Sequence, residues 1–511
     1  MGPSVRQRNP AKSLFLWSVK TAPTRSPTRS KSGSCDTSTS LKDAKTISVA
    51  GAELAIDEPA ETESLALVIA WCADEPARIG EVALFTPRGA PQTLGRGDGD
   101  GEPRVRFFRQ RPRRLAPTEP LVGLALSRKQ LTVKANAGSL TIERVGRCAL
   151  SVNGAATERA TVVPGDTVFL RGQLLLFCTR RVPSMPPTVY FLEKSVGAFG
   201  EPDAAGILGE ASGMWQMRER IAFAANAGKH VLLHGESGTG KELAARALHA
   251  LSPRASRPFV SRNAATLPSG LIDAELFGSA KNYPNAGMPE RAGLVGQADG
   301  GTLFLDEIAE IPVEQQAHLL RVLDSDGEYQ RLGEATTRRS DFVLVGATNR
   351  DVSALKHDVA ARLTLRLELP PLDERREDIP LLVRHLLLVA AKKSPQIGER
   401  FLDASADGRL EPRVDPALVE QLLVRDYETH IRELDALIWR AMAGSPGDTV
   451  LLTDDLRQEA RREIEPTAVE LRAALKSAGS VQNAAKALGL KSRYALYRLM
   501  KKHGIVADGV D

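Results

Sequence analysis

The stretch Val231–Leu243, VLLHGESGTGKEL, decides how this chain is read. A short apolar run leads into Gly235, and Gly240 and Lys241 complete a G-x-x-x-x-G-K spacing ahead of a helix-forming segment. Glycines after a strand let backbone N–H groups turn inward onto phosphate, and the N-terminus of the next helix adds partial positive charge. Gly235, Glu236, Ser237, Gly238, Thr239, Gly240, Lys241 and Glu242 therefore form a candidate nucleotide-binding loop. Lys241 reaches the β- and γ-phosphates as a point charge. Glu242 stands where Ser or Thr ordinarily ligates a metal ion, so that task moves elsewhere.

The next stretch outward is Gly300–Ile308, GGTLFLDEI. Thr302–Leu305 is too short for a helix and too apolar for a surface, which predicts a buried parallel strand. Asp306 then lies at the strand's carboxyl end, where α/β sheets place ligand chemistry. It is the candidate Mg²⁺ ligand, and Glu307 beside it can orient or deprotonate an attacking water. Either motif alone has a bland explanation: a glycine-rich turn, or a solvated strand end. Together, at this spacing, they specify an NTP site.

Further strings carry a family resemblance. GESGTGKE, ELFG (Glu275–Gly278), GGTLFLDEI, ATNRD (Ala347–Asp351), LPPLDERREDIP (Leu369–Pro380) and IREL (Ile431–Leu434) resemble the AAA+ domain of sigma-54-dependent bacterial transcription activators. The resemblance runs from Ile207 to Met442 and implies a hexameric ATPase using ATP and Mg²⁺. It makes Asn349 the polar sensor of the γ-phosphate and Arg432 a second sensor in a helical lid. Arg362 becomes a finger inserted into the neighbouring subunit's nucleotide, while Lys356 occupies the place of a second arginine. Asp306, Glu307, Asn349, Arg362 and Arg432 are thus the candidate catalytic set.

Two departures stand out. The family's Trp-Pro-Gly-Asn before the sensor helix is replaced by Tyr427-Glu428-Thr429-His430. The family's sigma-gripping GAFTGA loop falls on Asn282, Tyr283, Pro284, Asn285, Ala286 and Gly287, with no position retained. Pro284 restricts that backbone, although the loop stays polar, glycine-containing and mobile in this reading.

On either side lie two further modules. Val481, Ala484, Ala485 and Leu488 form one stripe of a helix, Gly489 ends it, and Ser492 can cap a second helix. This resembles a Fis-type helix-turn-helix. The window Leu471–Ile505 contains eight Lys/Arg and no Asp or Glu, which suits double-stranded DNA. Ser492, Arg493 and Tyr494 are placed for base edges, and Arg498, Lys501 and Lys502 for phosphates. N-terminal to the ATPase, Leu65–Arg181 alternates short apolar runs with Gly/Pro/Asp punctuation, the pattern of an all-β sandwich. Its turn signals resemble a forkhead-associated (FHA) domain, a family that binds phosphothreonine peptides. Arg96, Ser127, Arg128 and Asn153 are the residues that match, whereas Gln130 and Cys148 depart from the pattern.

The fold class that follows is multidomain: an FHA-like all-β sandwich, an α/β AAA+ P-loop NTPase with a helical lid, and an all-α helix-turn-helix. The divisions are 1–64, a basic Ser/Thr-rich disordered tail; 65–181, sandwich; 182–204, linker; 205–370, ATPase core; 371–445, lid; 446–466, linker; and 467–506, DNA-binding domain. The net charge of +5 hides two basic ends, since the first 45 residues hold nine Lys/Arg and only two Asp. The body between them is acidic. Four cysteines lie scattered without metal spacing, as in a reducing cytoplasm, and no membrane partner is expected. The resulting expectation is an ATP-dependent transcriptional regulator. Its partners are DNA, an RNA polymerase sigma factor, a phosphothreonine protein, and further copies of itself from dimer to hexamer. The alternative is a DNA-binding scaffold whose ATPase drives assembly without remodelling sigma-54.

Overall fold

The computed structural model describes residues 63–505, apart from 88, 99–100, 325–326, 405–407, 463–467, 479–480, 489, 491–495, 498 and 501–504. The basic tail, and Ser492, Arg493, Tyr494, Arg498, Lys501 and Lys502 of the DNA-binding reading, lie outside these residues.

Between Ser64 and Arg181 the chain forms an eight-stranded antiparallel sheet and a four-stranded one. Leu67, Ile69, Leu131, Ile142, Leu170 and Leu176 from both sheets share one core. The strand Leu131–Ala135 alternates buried and more exposed positions, as a sheet with one wet face requires. Ser64–Cys72 does not. It pairs with Leu174–Arg181 in the middle of the larger sheet, and both strands are buried on both faces. Leu65, Leu67 and Ile69 enter the sandwich core, while Ala70, Leu175 and Phe177 turn outward into a second cluster.

That second cluster belongs to the ATPase lid. Leu381, Leu382 and Leu387 of helix Ile379–Lys393, Leu418 and Leu422 of Pro416–Val424, and Leu434 and Leu437 of His430–Gly444 complete it. Each of the first two helices begins with Pro in its first turn, where the missing N–H has no intrahelical partner to lose. Asp415 also accepts the Ala417 N–H at 3.0 Å, capping Pro416–Val424.

The ATPase core is a five-stranded parallel sheet in the order Phe259–Asn263, Thr302–Asp306, Val343–Thr348, Val231–His234, Leu365–Glu368. Phe304 and Val345 pack on one face with helices Ser212–Ala227 and Lys241–Leu251. Leu303, Leu305 and Leu344 pack on the other with Val313–Leu323. The strands are short and apolar because both faces are covered. Their carboxyl ends bring His234, Asp306 and Thr348 to one edge.

Composition predicts a linker over 182–204, but the segment is packed. Met185 and Phe191 are buried against Trp215 and Ala222, and Glu219 accepts the N–H groups of Val189, Tyr190 and Phe191. Charged contacts also fix the sandwich to the ATPase. Arg181 reaches Glu377 at 3.0 Å with both side chains buried, and its Nη1 donates to the Glu210 carbonyl at 2.8 Å. Arg111 makes a two-pronged contact with the Glu210 carboxylate. Near the C-terminus, helices Ala468–Ala478 and Val481–Ala487 share a small core in which Leu471, Val481, Ala484 and Ala485 meet Leu496 and Leu499.

Candidate functional site

Val231–His234 delivers the chain into the turn 235–240, and Gly240, at φ +103, launches helix Lys241–Leu251. Only glycine adopts such values without strain. Lys241 is buried, and its Nζ donates to the Gly235 and Glu236 carbonyls at 2.9 and 3.1 Å. Burial pushes the ammonium pKa below its ordinary value, and the nearby Glu307 and Asp306 carboxylates oppose that shift. Glu242 turns outward to Arg246 at 2.8 Å.

Asp306 ends its strand directly opposite Asn263, whose Nδ2 donates to Asp306 Oδ2 at 3.4 Å. The second oxygen, Oδ1, accepts the Glu307 N–H at 3.1 Å. Glu307 adopts φ 50, which aims its carboxylate back across the sheet to accept the Asn349 N–H at 3.3 Å. The lid closes over this edge: Arg432 Nη1 donates to Ser237 Oγ at 3.0 Å, and the Ile431 N–H donates to the Gly238 carbonyl at 3.2 Å. The phosphate loop, Asp306, Glu307, Asn349 and Arg432 are therefore one constellation. It sets two cations and two carboxylates beside a glycine-rich loop, as polyphosphate chemistry demands. No cluster of three or more His, Cys, Asp or Glu suited to a metal occurs among the described residues.

Residues 207–372 match the family described as the Sigma-54 interaction domain. The transcriptional regulatory protein ZraR of Salmonella typhimurium is 36% identical over 316 residues, covering 58% of this chain and 68% of that protein. The DNA-binding transcriptional regulator NtrC of Escherichia coli is 36% identical over 334 residues, covering 58% and 70%. This chain belongs to the sigma-54-dependent transcriptional regulators. Its central domain is accordingly an AAA+ ATPase. A solved structure of NtrX from Brucella abortus in complex with ATP aligns at 29% identity and a TM-score of 0.42, over 61% of this chain and 71% of that one.

Other predicted residues of the regulator fall elsewhere. Arg362 is half-exposed and donates to Asp324 at 2.7 Å. The segment Asn282–Gly287 is exposed throughout, yet it is folded on itself. Asn282 Oδ1 accepts the Gly287 N–H at 2.9 Å, and the Asn282 N–H donates to the Met288 carbonyl at 2.9 Å. The Tyr283 ring lies against Gly333 so closely that a Cβ there would come within 2.4 Å.

In the sandwich, Arg96 and Ser127 come together: the Arg96 N–H donates to the Ser127 carbonyl at 3.1 Å. Arg104 ties the surrounding loops by donating to the carbonyls of Arg96, Gly97 and Arg128. Ser127 Oγ accepts the Arg147 N–H, and Arg128 is exposed. Asn153 is engaged elsewhere, bonding Asp166 and the Thr167 N–H at 2.8 and 2.9 Å. Gln130 is fully buried and accepts the Ser127 and Cys148 N–H groups, so it braces these loops. Sequence reasoning missed Asn263 and His430 beside the candidate nucleotide site and Arg104 beside the candidate phosphopeptide residues. A polar residue ending the strand beside Asp306 was the available signal for Asn263. No helix among the described residues is long and apolar enough to cross a membrane.

Proposed function

We propose that this regulator couples ATP hydrolysis in an oligomeric ring to transcription, binding DNA through its C-terminal end and a phosphoprotein through its sandwich. The convergence of Lys241, Asp306, Glu307 and Asn349 at one sheet edge carries the reading. Gly235–Glu242 cradle the phosphates and Lys241 offsets their charge. With Glu242 paired to Arg246, Asp306 is the residue left to hold Mg²⁺, which when bound neutralises charge on the β- and γ-oxygens. Glu307 orients the attacking water, Asn349 fixes Glu307 through its backbone N–H, and Arg432 steadies the loop from the lid. Arg362 serves a neighbouring subunit, so hydrolysis follows assembly; its exposure suits that role. Ser492, Arg493 and Tyr494 read bases, and Arg498, Lys501 and Lys502 hold phosphates. Arg96, Ser127 and Arg128 receive a phosphothreonine.

A second reading has its own observation. Asn282–Gly287 is a self-bonded turn bearing none of the family's gripping residues. In that version the ATPase drives assembly on DNA and no sigma-54 is remodelled. The deciding experiment is ATP-dependent open-complex formation on a sigma-54 promoter carrying this protein's binding site, with Lys241→Ala as control. Open complexes with the wild type alone support remodelling, while hydrolysis without open complexes supports the second reading.

A further inference from the structure

We infer that His430 is a positioning residue for ATP turnover, holding the lid helix on the phosphate loop through a hydrogen bond to Glu236. The imidazole is fully buried, and its Nε2 lies 3.1 Å from Glu236 Oε2. Its Nδ1 accepts the Leu372 backbone N–H at 3.4 Å, which leaves the ring proton on Nε2 for donation to the carboxylate. One ring thus joins the phosphate loop, the turn entering the lid and the start of the lid's sensor helix.

The backbone supports this assignment independently. His430 sits at φ 45, a left-handed conformation that only a few per cent of non-glycine residues adopt, His among the more frequent. Such strain at a buried side chain persists when its contacts over-determine it. Beside it, a Cβ added to Gly238, at φ +83, would meet the Thr429 carbonyl oxygen at 2.0 Å, so loop and lid touch backbone to backbone. His430 acts through its neighbours: it braces Glu236 and sets the helix from which Arg432 reaches Ser237.

The inference rests on the nucleotide-site reading, and the test separates the two. Full-length wild type, His430→Asn, Glu236→Ala and the double variant are compared for ATP hydrolysis and for release of fluorescent mant-ADP. Asn accepts the left-handed backbone but is too short to replace the imidazole. Glu236 is partly exposed, so its variant probes the same bond if His430→Asn folds poorly. His430→Asn is expected to raise KM for ATP and the mant-ADP release rate about tenfold, with kcat within about threefold. The double variant is expected to be no worse than the worse single one. A merely structural role would lower kcat through lost folded enzyme at unchanged KM. Unchanged KM in either single variant, or single effects that multiply in the double, overturns the inference. Wild type that binds no mant-ADP overturns the nucleotide-site reading and this inference with it.

Discussion

The lid touches two partners, and the contacts are built differently. Its contact with the phosphate loop is polar: His430 to Glu236, Arg432 to Ser237, Arg375 to the Thr239 carbonyl, and one backbone bond to Gly238. Its contact with the sandwich is built largely of apolar side chains, with Ala70, Leu175 and Phe177 among Leu381, Leu382, Leu418 and Leu422, beside a cavity of about 410 Å³ lined by Cys72, Val383, Arg384 and Glu411. The buried Arg181–Glu377 pair closes the edge of that contact. A few hydrogen bonds can be exchanged as nucleotide comes and goes, whereas separating the second contact exposes apolar surface and strands a buried charge. The difference leads us to expect that the sandwich follows the lid, with its bonds to Glu210 of the ATPase core, from Arg111 and Arg181, being the ones exchanged as the lid shifts.

Four substitutions probe the two contacts separately. Lys241→Ala strikes only the polar side and is expected to lower kcat/KM for ATP a hundredfold or more. DNA affinity and the sandwich–lid contact, followed by thermal unfolding, stay as in wild type. Arg181→Ala strikes the sandwich side, removing the bonds to Glu377 of the lid and to the Glu210 carbonyl of the core. It leaves Glu377 buried without its cation, so the contact loses about 3–5 kcal/mol, visible as an earlier, separate melting step and as protease cleavage between sandwich and lid.

Asp378 offers a pH probe of the same junction. Burial, reinforced by Glu377, raises its carboxyl from the ordinary 3.8 to about 6, against Arg375 and Arg181. The folded-state value lies above the unfolded one, so the native chain holds the extra proton between those limits. Stability contributed by this group therefore falls as pH rises through that window and is flat above it. Asp378→Asn is expected to flatten the slope between about pH 4 and about pH 6 in denaturant titrations. The smallest effect is expected from Thr167→Val, which removes a 2.6 Å bond to Glu420 at the partly exposed rim. A loss of about 1 kcal/mol, without change in ATPase rate, is the expected outcome.

The two contacts also differ in how legible they were. Phosphate chemistry demands fixed residue types at fixed spacings, so Gly235, Gly240, Lys241 and Asp306 announced themselves in a single sequence. The position of His430 was visible as a departure, but its tie to Glu236 spans 194 residues and has no local signature. The sandwich–lid contact is more distant still, with Thr167 and Glu420 separated by 253 positions. One signal for it was present. SLALVIAWC, Ser64–Cys72, lacks the alternation of a strand with a wet face, because on its outer side Ala70 joins the lid cluster while Ala66 and Val68 are buried with Val82. The Pro- and Ser-containing segment 182–204 misleads for the opposite reason: its polar composition masks Met185 and Phe191, the anchors that fasten it.

The most direct test is a pair of label-to-label distances measured by pulsed electron spin resonance, with labelled chains diluted among unlabelled ones. One pair joins Leu124 of the sandwich to Trp439 of the lid, and the other joins Leu271 of the ATPase core to Trp439; all three positions are exposed. The account predicts that exchanging ADP for a non-hydrolysable ATP analogue shifts the core–lid distance and leaves the sandwich–lid distance unchanged. A sandwich–lid distance that changes with nucleotide would contradict it.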